Sequence, residues 1–284
     1  MLILLLPDSY MSDIEIAELR KLTQFISERF SYDFKDYAMS SFRRRIKRIL
    51  DLYKLKSVDE LIALLDSREG FYEEFVSELT VNVTEMFRDP TFWRVLKEHI
   101  IPNIMLNHDK ISIWHAGCSS GEEVVSMAIV LDEMGILDKA KIVATDIDRS
   151  IIAKAKEARY SMKNIEVHRK NYQRYQGKHA LENYYDEIGG EAVMHSRLLQ
   201  NVSFRKHDLV LGSVFSKFDL VLCRNVMIYF NQTLQNQVLH KIHESLFKYG
   251  YLAIGSKESL IWCDIAHKFI VVNNEEKIYK KIKD

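Results

Sequence analysis

Four short apolar runs after residue 108, each ending in small or polar residues, constrain the fold more than any other feature of the sequence. Segments with the apolar spacing of helices separate several of these runs. Buried strands that alternate with helices are typical of a parallel sheet covered on both faces. Ligands bind outside the carboxyl ends of such strands, so residues at those ends are the first candidates for function. The expected strands are residues 111–115, 141–145, 218–222 and 251–254, and the expected helices are residues 122–134, 150–159 and 232–247.

The segment of residues 161–203 interrupts this alternation and is rich in polar and aromatic side chains. Gly189 and Gly190 lie in it between Tyr184-Tyr185 and the apolar run 193–199, which indicates a hairpin turn. We therefore expect a small antiparallel subdomain to be inserted into the sheet domain.

The first 80 residues have a different, helical rhythm. Apolar residues recur there at three- and four-residue spacing, and Ser57-Val-Asp-Glu60 has the pattern of a capping box at a helix start. A small all-α domain follows from this pattern, with expected helices over residues 12–29, 37–55, 57–67 and 71–79. The second helix has an apolar stripe and an opposite, basic face that includes Arg43, Arg44, Lys47 and Arg48.

Composition excludes several classes of protein. Lys and Arg together number 40, as do Asp and Glu, so no overall charge attracts the chain to nucleic acid or to an anionic membrane. The apolar residues 1–6 are too few for a secretory signal or a membrane span. Cys118, Cys223 and Cys263 are far apart and form no metal-binding pair. We expect a cytoplasmic monomer without a metal.

The turn after the first predicted strand is the first candidate site. Gly117 and Gly121 allow a tight turn and a close approach of the backbone to a ligand. Glu122 and Glu123 at the following helix start disfavour a phosphate and suit a ligand that offers hydroxyls and positive charge. An ordinary strand-to-helix turn, with Glu favoured by the helix dipole, is the alternative.

The second predicted strand ends in Thr145-Asp-Ile-Asp148. A carboxylate at this place in a nucleotide-binding unit can accept hydrogen bonds from both ribose hydroxyls, and we assign that role to Asp146. Asp148 is interpreted as the cap of the next helix. Either residue could instead be only a cap.

Arg224 and Asn225 end the third predicted strand. Because an unpaired arginine is costly to bury, we expect this pair at the edge of an active site rather than in the core. Upstream, Asn82, Thr84 and Arg88 lie in an apolar frame that joins the two regions, where turn and cap roles are the simpler interpretation.

Taken together, these blocks resemble the chemoreceptor glutamate methyltransferase family, the CheR type, along nearly the whole chain. Residues 79–88 match its Leu-Thr-x-Asn-x-Thr-x-Phe-Phe-Arg block with Met86 for one Phe, and residues 119–123 match Ser-x-Gly-Glu-Glu. Residues 145–148 match Ser/Thr-Asp-Ile-Asp, and residues 223–230 match Cys-Arg-Asn-Val-Met-Ile-Tyr-Phe at every position.

The resemblance implies an α/β fold with a doubly wound sheet that uses S-adenosylmethionine and releases S-adenosylhomocysteine. It implies a helical domain over residues 1–80, a linker over 81–108 that contributes to the cofactor pocket, and the methyltransferase domain over 109–284 with its insert at about 161–203. The implied cofactor contacts are Asn82, Thr84, Arg88, Gly117, Glu123, Asp146, Asp208, Leu209, Arg224 and Asn225.

The implied reaction is methyl esterification of glutamate side chains on the cytoplasmic helical region of a chemoreceptor-type protein. An ionised carboxylate is already a nucleophile, so the enzyme needs to position it and to exclude water. We assign Arg88 and Tyr229 to orienting either the incoming carboxylate or the methionine end of the cofactor near the methyl group. The basic helix face is either a solvated surface or, as the resemblance implies, a docking surface for the acidic receptor. A nucleic-acid methyltransferase and a non-catalytic, cofactor-sensing scaffold are the alternatives.

Overall fold

The computed structural model describes residues 14–30, 32, 34–79 and 84–283. The chain divides into two compact units, one up to Leu79 and one that follows it. None of the helices in the described ranges has the length and apolar character needed to cross a bilayer.

The first unit is the small helical domain that the apolar spacing predicts. Its described helices are α1 (Ile16–Phe30), α2 (Met39–Tyr53), α3 (Val58–Ser67) and α4 (Phe71–Leu79). Ser57 Oγ accepts a hydrogen bond from the Glu60 amide at 3.2 Å, which confirms the cap of α3. The Glu60 carboxylate accepts at 2.7 Å from the amide of Lys56, one residue before the expected donor.

A nearly continuous helix over residues 90–105 opens the second unit, within the segment that the sequence indicated as a linker. It consists of α5 (Pro90–Val95), a π-helical segment (Leu96–Ile100) and α6 (Ile101–Met105). Pro90 lies in the first turn of α5, where an N–H would have no intrahelical acceptor, so the missing N–H of proline costs no hydrogen bond. Pro102 lacks an amide to donate back into the helix, and the wider π turn lies directly before it.

The second unit is built on a seven-stranded, mostly parallel sheet with the order β6-β2-β1-β7-β8-β10-β9. The parallel pairs are β1 with β2 and β7, β2 with β6, and β7 with β8, while β10 is antiparallel to β8 and β9. The doubly wound α/β sheet is thereby confirmed. Its strands are β1 (Ile111–Ala116), β2 (Ala140–Asp146), β6 (Val202–Lys206), β7 (Phe218–Cys223), β8 (Leu246–Ile254), β9 (Phe269–Asn273) and β10 (Ile278–Lys281).

Helices cover the sheet, and a second, three-stranded sheet is inserted between β2 and β6. The helices are α7 (Glu122–Glu133), α8 (Arg149–Glu157), α9 (Met162–Tyr175) and α10 (Gln232–Glu244). The small sheet has the order β3-β5-β4, with β3 (Arg159–Ser161), β4 (Tyr185–Ile188) and β5 (Glu191–Met194).

The predicted hairpin at Gly189 and Gly190 is confirmed by β4 and β5, but the expected limits of the insert differ from the structure. Arg159, expected at a helix end, begins β3, and Val202 begins a strand of the main sheet rather than ending the insert. The alternation of apolar and polar residues in these strands is too short to be distinguished from the neighbouring helical patterns.

One buried carboxylate, Glu133 at the end of α7, fastens α9 to the main sheet domain. It accepts hydrogen bonds from the hydroxyl groups of Tyr172 and Tyr175 at 2.6 and 3.0 Å. The Lys178 amide and the Lys97 ammonium also donate to it, at 2.9 and 2.7 Å. Burial raises the pKa of Glu133, but these four donors outweigh it and hold the pKa below its ordinary value.

Candidate functional site

The turn after β1 lies where the strand order reverses, between β1 and β7. Gly117 has a φ of 83°, a conformation that side chains disfavour. A Cβ atom on Gly117 would lie 2.6 Å from Cγ2 of Val226, in the loop after β7. Glycine therefore keeps a side chain out of the narrow space between the two loops, as close approach of a ligand to the backbone requires.

Asp146, at the end of β2, braces this turn. Its Oδ2 accepts the Ser119 amide at 2.9 Å, and its Oδ1 accepts the Asp148 amide at 3.1 Å. Burial raises the pKa of Asp146 above its ordinary value. Each oxygen uses one of its two lone pairs in these bonds, so the carboxylate can also accept ribose hydroxyls. Asp148 caps α8 through the amides of Ser150 and Ile151, which confirms its predicted role.

Glu123, in the first turn of α7, is held by two basic side chains. His115 Nδ1 lies 2.9 Å from Glu123 Oε1, and Arg224 Nη1 donates to Oε2 at 3.3 Å. Burial raises the pKa of Glu123, but His115 and Arg224 outweigh it and bring the pKa below its ordinary value. The ionised form is thus favoured in an otherwise buried position.

Arg224 joins this carboxylate to the start of the long helix. Its Nη2 donates to Asp89 Oδ2 at 2.7 Å, and its guanidinium lies 3.9 Å from the centre of the Phe92 ring. The Arg224 side chain is almost fully buried, so the expectation that arginine avoids the core is wrong here. Two carboxylates and an aromatic face make that burial tolerable.

The neighbouring Asn225 is fixed through its backbone. It has a φ of 61°, and its amide donates to Glu258 Oε2 at 3.0 Å. The Glu258 carboxylate also accepts the amides of Ile228 and Gly255. Burial raises the pKa of Glu258, opposed by these amide hydrogen bonds. One side chain therefore ties the loop after β7 to the loop after β8.

Asp208 follows β6 on the other side of β2. Its Oδ1 accepts the amides of Val210 and Leu211 at 2.7 and 3.1 Å, which shapes the loop that contains Leu209. The His207 amide donates to the Asp146 carbonyl at 2.9 Å, so the ends of β2 and β6 lie side by side. The two acidic residues therefore belong to one edge of the sheet.

Arg88 lines a cavity of about 530 Å³. Both signs of charge occur on its walls, which include Arg94 and Arg174 as well as Asp89 and Glu275. Arg88 makes no side-chain hydrogen bond or ion pair within the described part of the chain, although its carbonyl accepts the Trp93 indole N–H at 2.9 Å. Its guanidinium is therefore available to a carboxylate that enters this cavity.

The structure brings some predicted residues together and leaves others apart. Glu123 and Arg224 are in direct contact, and Asp146 accepts the Ser119 amide of the turn that contains Gly117. Asn82 lies outside the described residues. Thr84 is half-buried at the start of the described segment, and Tyr229 lies in a 3₁₀ turn, Met227–Tyr229. Among the described residues, those that line the Arg88 cavity do not include Tyr229.

The basic face of α2 is less uniform than the sequence indicates. Arg44, Lys47 and Arg48 are exposed, and Arg48 donates to Glu78 at 2.8 Å. Arg43 is only partly exposed. Arg45, on the same helix, is buried and donates to the Leu79 carbonyl. Arg44 and Lys47 are thus the exposed cations of this helix that form no ion pair among the described residues.

Sequence reasoning missed three residues that support the site: His115, Asp89 and Glu258. His115 ends an apolar strand with no spacing that pairs it with Glu123. Asp89 precedes Pro90, a common helix-start pattern, and could have been identified as a residue at a helix start. Glu258 falls within the block Gly255-Ser-Lys-Glu-Ser259, and the only sign of its role in the sequence is that it is an acidic residue just after a predicted strand.

The arrangement fits S-adenosylmethionine in two respects. The Gly117 turn leaves the backbone accessible at the strand switch, and the acidic residues at the start of α7, at the end of β2 and just after β6 suit a ligand with hydroxyls, an amine and a sulfonium charge. Asp146 would hold the ribose and Asp208 the adenine amine. Within the described ranges, no group of three or more His, Cys, Asp or Glu side chains is arranged to hold a metal ion.

Comparison with known proteins gives matches to both units. A family model described as CheR methyltransferase, all-alpha domain, matches residues 17–80, and one described as CheR methyltransferase, SAM binding domain, matches residues 82–278. Cher3 of Pseudomonas putida, provisionally described as a methyltransferase, is 38% identical over 93% of this chain and 96% of its own length. The chemotaxis protein methyltransferase Cher2 of the same species is 32% identical over 80% of this chain and 83% of its own.

Proposed function

Because the chain belongs to the CheR methyltransferase family, we propose that it esterifies glutamate side chains on the cytoplasmic helical region of a chemoreceptor-type protein, with S-adenosylmethionine as methyl donor. The observation that carries this proposal is Arg88, a cationic side chain beside a cavity large enough for an amino-acid side chain. A guanidinium suits a carboxylate substrate because it can donate two parallel hydrogen bonds.

Bound S-adenosylmethionine supplies an electrophilic methyl group on a sulfonium. A glutamate carboxylate is ionised at neutral pH, so no general base is required. The protein's task is to hold the carboxylate near that methyl group and to exclude water, which can contribute roughly 7–11 kcal/mol in favourable intramolecular cases. Esterification joins the carboxylate oxygen to the methyl carbon and leaves neutral S-adenosylhomocysteine.

Arg88 and Tyr229 are proposed to orient the incoming carboxylate. Arg88 faces the cavity, and Tyr229 lies in the turn whose neighbouring amides Glu258 fixes. Arg224 takes a supporting part, because Glu123 and Asp89 occupy both ends of its guanidinium. It is therefore proposed to position the Arg88 segment through Asp89.

The exposed cations of α2 are proposed to dock the acidic receptor surface. Arg44 and Lys47 project into solvent without a salt bridge among the described residues, so they can pair with an approaching carboxylate. Such pairs are screened by salt, and their contribution falls as ionic strength rises.

Labelling with methyl-tritiated S-adenosylmethionine tests the proposal. The acceptor is the cytoplasmic fragment of a chemoreceptor from the same organism, and a matched fragment with its glutamates changed to glutamine is the control. We expect label on the first fragment alone, released as methanol by mild alkali. Alkali-stable label on added RNA or DNA would instead identify a nucleic-acid methyltransferase.

A non-catalytic role remains distinguishable in the same experiment. A scaffold that senses the cofactor would bind S-adenosylhomocysteine, measured by calorimetry, and transfer no label to any acceptor. Arg88→Ala and Tyr229→Phe should lose turnover, and calorimetry with S-adenosylhomocysteine separates that loss from any loss of cofactor affinity. Unchanged turnover in both variants would remove their assigned roles.

A further inference from the structure

The loop after β8 places two large apolar residues at the tip of a turn. The Cys263 amide donates to the Leu260 carbonyl at 2.9 Å, so Ile261 and Trp262 occupy the two central positions. They are 75% and 79% exposed, while Leu260 and Cys263 are buried. Turn centres favour Gly, Pro, Asn, Asp and Ser. Nothing in the folding of the turn accounts for isoleucine and tryptophan there.

Side chains of α10 hold the turn on its C-terminal side. Gln232 Nε2 lies 3.7 Å from the Cys263 Sγ, and the Asp264 amide donates to Asn236 Oδ1 at 3.3 Å. His240 on α10 also lies 3.1 Å from the Asp264 carboxylate. A pre-ordered tip loses little conformational freedom when it binds a partner, which favours affinity.

The same loop is continuous with the candidate site. Ser256 lines the Arg88 cavity, and Glu258 binds the amides of Asn225 and Ile228 in the loop after β7. Ile228 is itself exposed. A protein that presents a glutamate to the cavity would therefore approach the edge of the sheet from which the Ile261–Trp262 tip projects.

We propose that Ile261 and Trp262 are an apolar anchor for the methyl-accepting protein, binding apolar side chains that flank its target glutamate. This inference rests on the proposed function and names a contact that helps to bind its protein substrate. Tryptophan is enriched among residues that dominate binding at interfaces. The fitting partner is an amphipathic segment, with its target carboxylate on the polar side and aliphatic residues beside it.

The chain offers its own reporter for this contact. Of its three tryptophans, Trp93 and Trp114 are fully buried, so quenching by acrylamide reports on Trp262. The experiment adds a tryptophan-free cytoplasmic fragment of the acceptor receptor to the full chain. We expect quenching to fall at least twofold on binding. Protection that instead depends on the concentration of this chain alone would mean self-association and would overturn the inference.

Kinetics give the second measurement. Trp262→Ala and Ile261→Ala should raise the KM for the fragment about tenfold, the loss typical of an interface anchor, with kcat and S-adenosylhomocysteine affinity unchanged. Leu106→Ala is the matched control, because Leu106 is 79% exposed but precedes β1 at the opposite edge of the sheet. Unchanged KM in both anchor variants would overturn the anchor and leave the proposed function standing. Absence of labelling by the wild type would overturn both.

Discussion

Arg224 donates a 2.7 Å hydrogen bond to Asp89, joining the end of β7 to the residue that precedes the helix over residues 90–105. Asp89 has a φ of 55°, and its side chain does not cap α5, the usual role of aspartate at that place. Its carboxylate is turned to Arg224 instead. Since Arg88 is the preceding residue, this pair holds the segment from which Arg88 faces its cavity.

Arg224→Ala should lower the free energy of unfolding by about 3–5 kcal/mol, because it leaves Glu123 buried without one of its cations. Urea denaturation measures the change. Arg159→Ala is the control, since its pair with Glu191 is exposed and should contribute about 1 kcal/mol or less. Equal losses in the two variants would contradict the structural role of Arg224.

Gly117→Ala should weaken S-adenosylhomocysteine binding at least tenfold, which calorimetry can measure. The added Cβ meets Val226 at 2.6 Å, at the strand switch where the cofactor is expected. Gly135→Ala is the control: its φ of 69° imposes similar backbone strain, of about 1–3 kcal/mol, but nothing lies within 4 Å of the new atom. If Gly117→Ala and Gly135→Ala lose affinity to a similar extent, backbone strain alone explains the effect and the contact with Val226 does not.

His168 should make the protein less stable in mild acid. Burial lowers the pKa of His168 from 6.5 to about 4. Between these values the unfolded chain binds a proton that the folded chain does not, so the free energy of unfolding falls as pH drops from 6.5 towards 4. His168→Gln should flatten this slope, which urea titrations at several pH values can follow. An unchanged slope would contradict the assignment.

Glu122 should act in the opposite direction. Burial raises the pKa of Glu122 to about 7, opposed by a hydrogen bond from Ser120. From pH 4.5 to 7 the folded chain retains a proton that the unfolded chain releases, so stability from this group declines as pH rises. Glu122→Gln should therefore gain stability over the wild type across that range. A constant difference with pH would show that Glu122 is ionised in the fold.

Reversing the exposed cations of α2 tests the docking surface. Arg44→Glu with Lys47→Glu should raise the KM for the receptor fragment about tenfold at low salt, and added salt should reduce the difference. Lys154→Glu with Lys156→Glu on α8 changes the net charge equally on another surface. If both pairs raise KM alike, the effect comes from overall charge rather than from docking on α2.

The sequence predicts the fold class and many of the residues at the sheet edge where the site lies. It does so because the carboxyl ends of parallel strands meet at one edge of the sheet, whatever the conformation of the loops. Apolar runs identified β1, β2, β7 and the end of β8. They missed β6 and β9, whose residues are exposed or mixed in character, and β10, which has only four residues, two of them lysine. Short strands of this kind form because they pair with neighbouring strands in the sheet, and the local sequence pattern contains no information about that pairing.

Within the site, the sequence predicts several of the residues, but it does not predict which side chains contact one another. Glu123 and Arg224 were both expected at the cofactor edge, but 101 residues separate them and no spacing rule connects them. His115 was hidden because a buried histidine in an apolar run resembles any other core position. Its role became visible only when α7 placed Glu123 beside it.

The four hydrogen bonds that converge on Glu133 also have a consequence for the inserted subdomain. Through Tyr172, Tyr175 and Lys178, that carboxylate fastens α9 independently of the loops that surround Asp146 and Gly117. The outer hairpin, β4 and β5, lies beyond this attachment. Because β5 pairs with β3, whose Tyr160 donates to the Ser120 carbonyl, a graft should retain β5 as well as Glu133 and its tyrosines. Replacing β4 and the hairpin turn alone should then change what the surface recognises without retuning the chemistry.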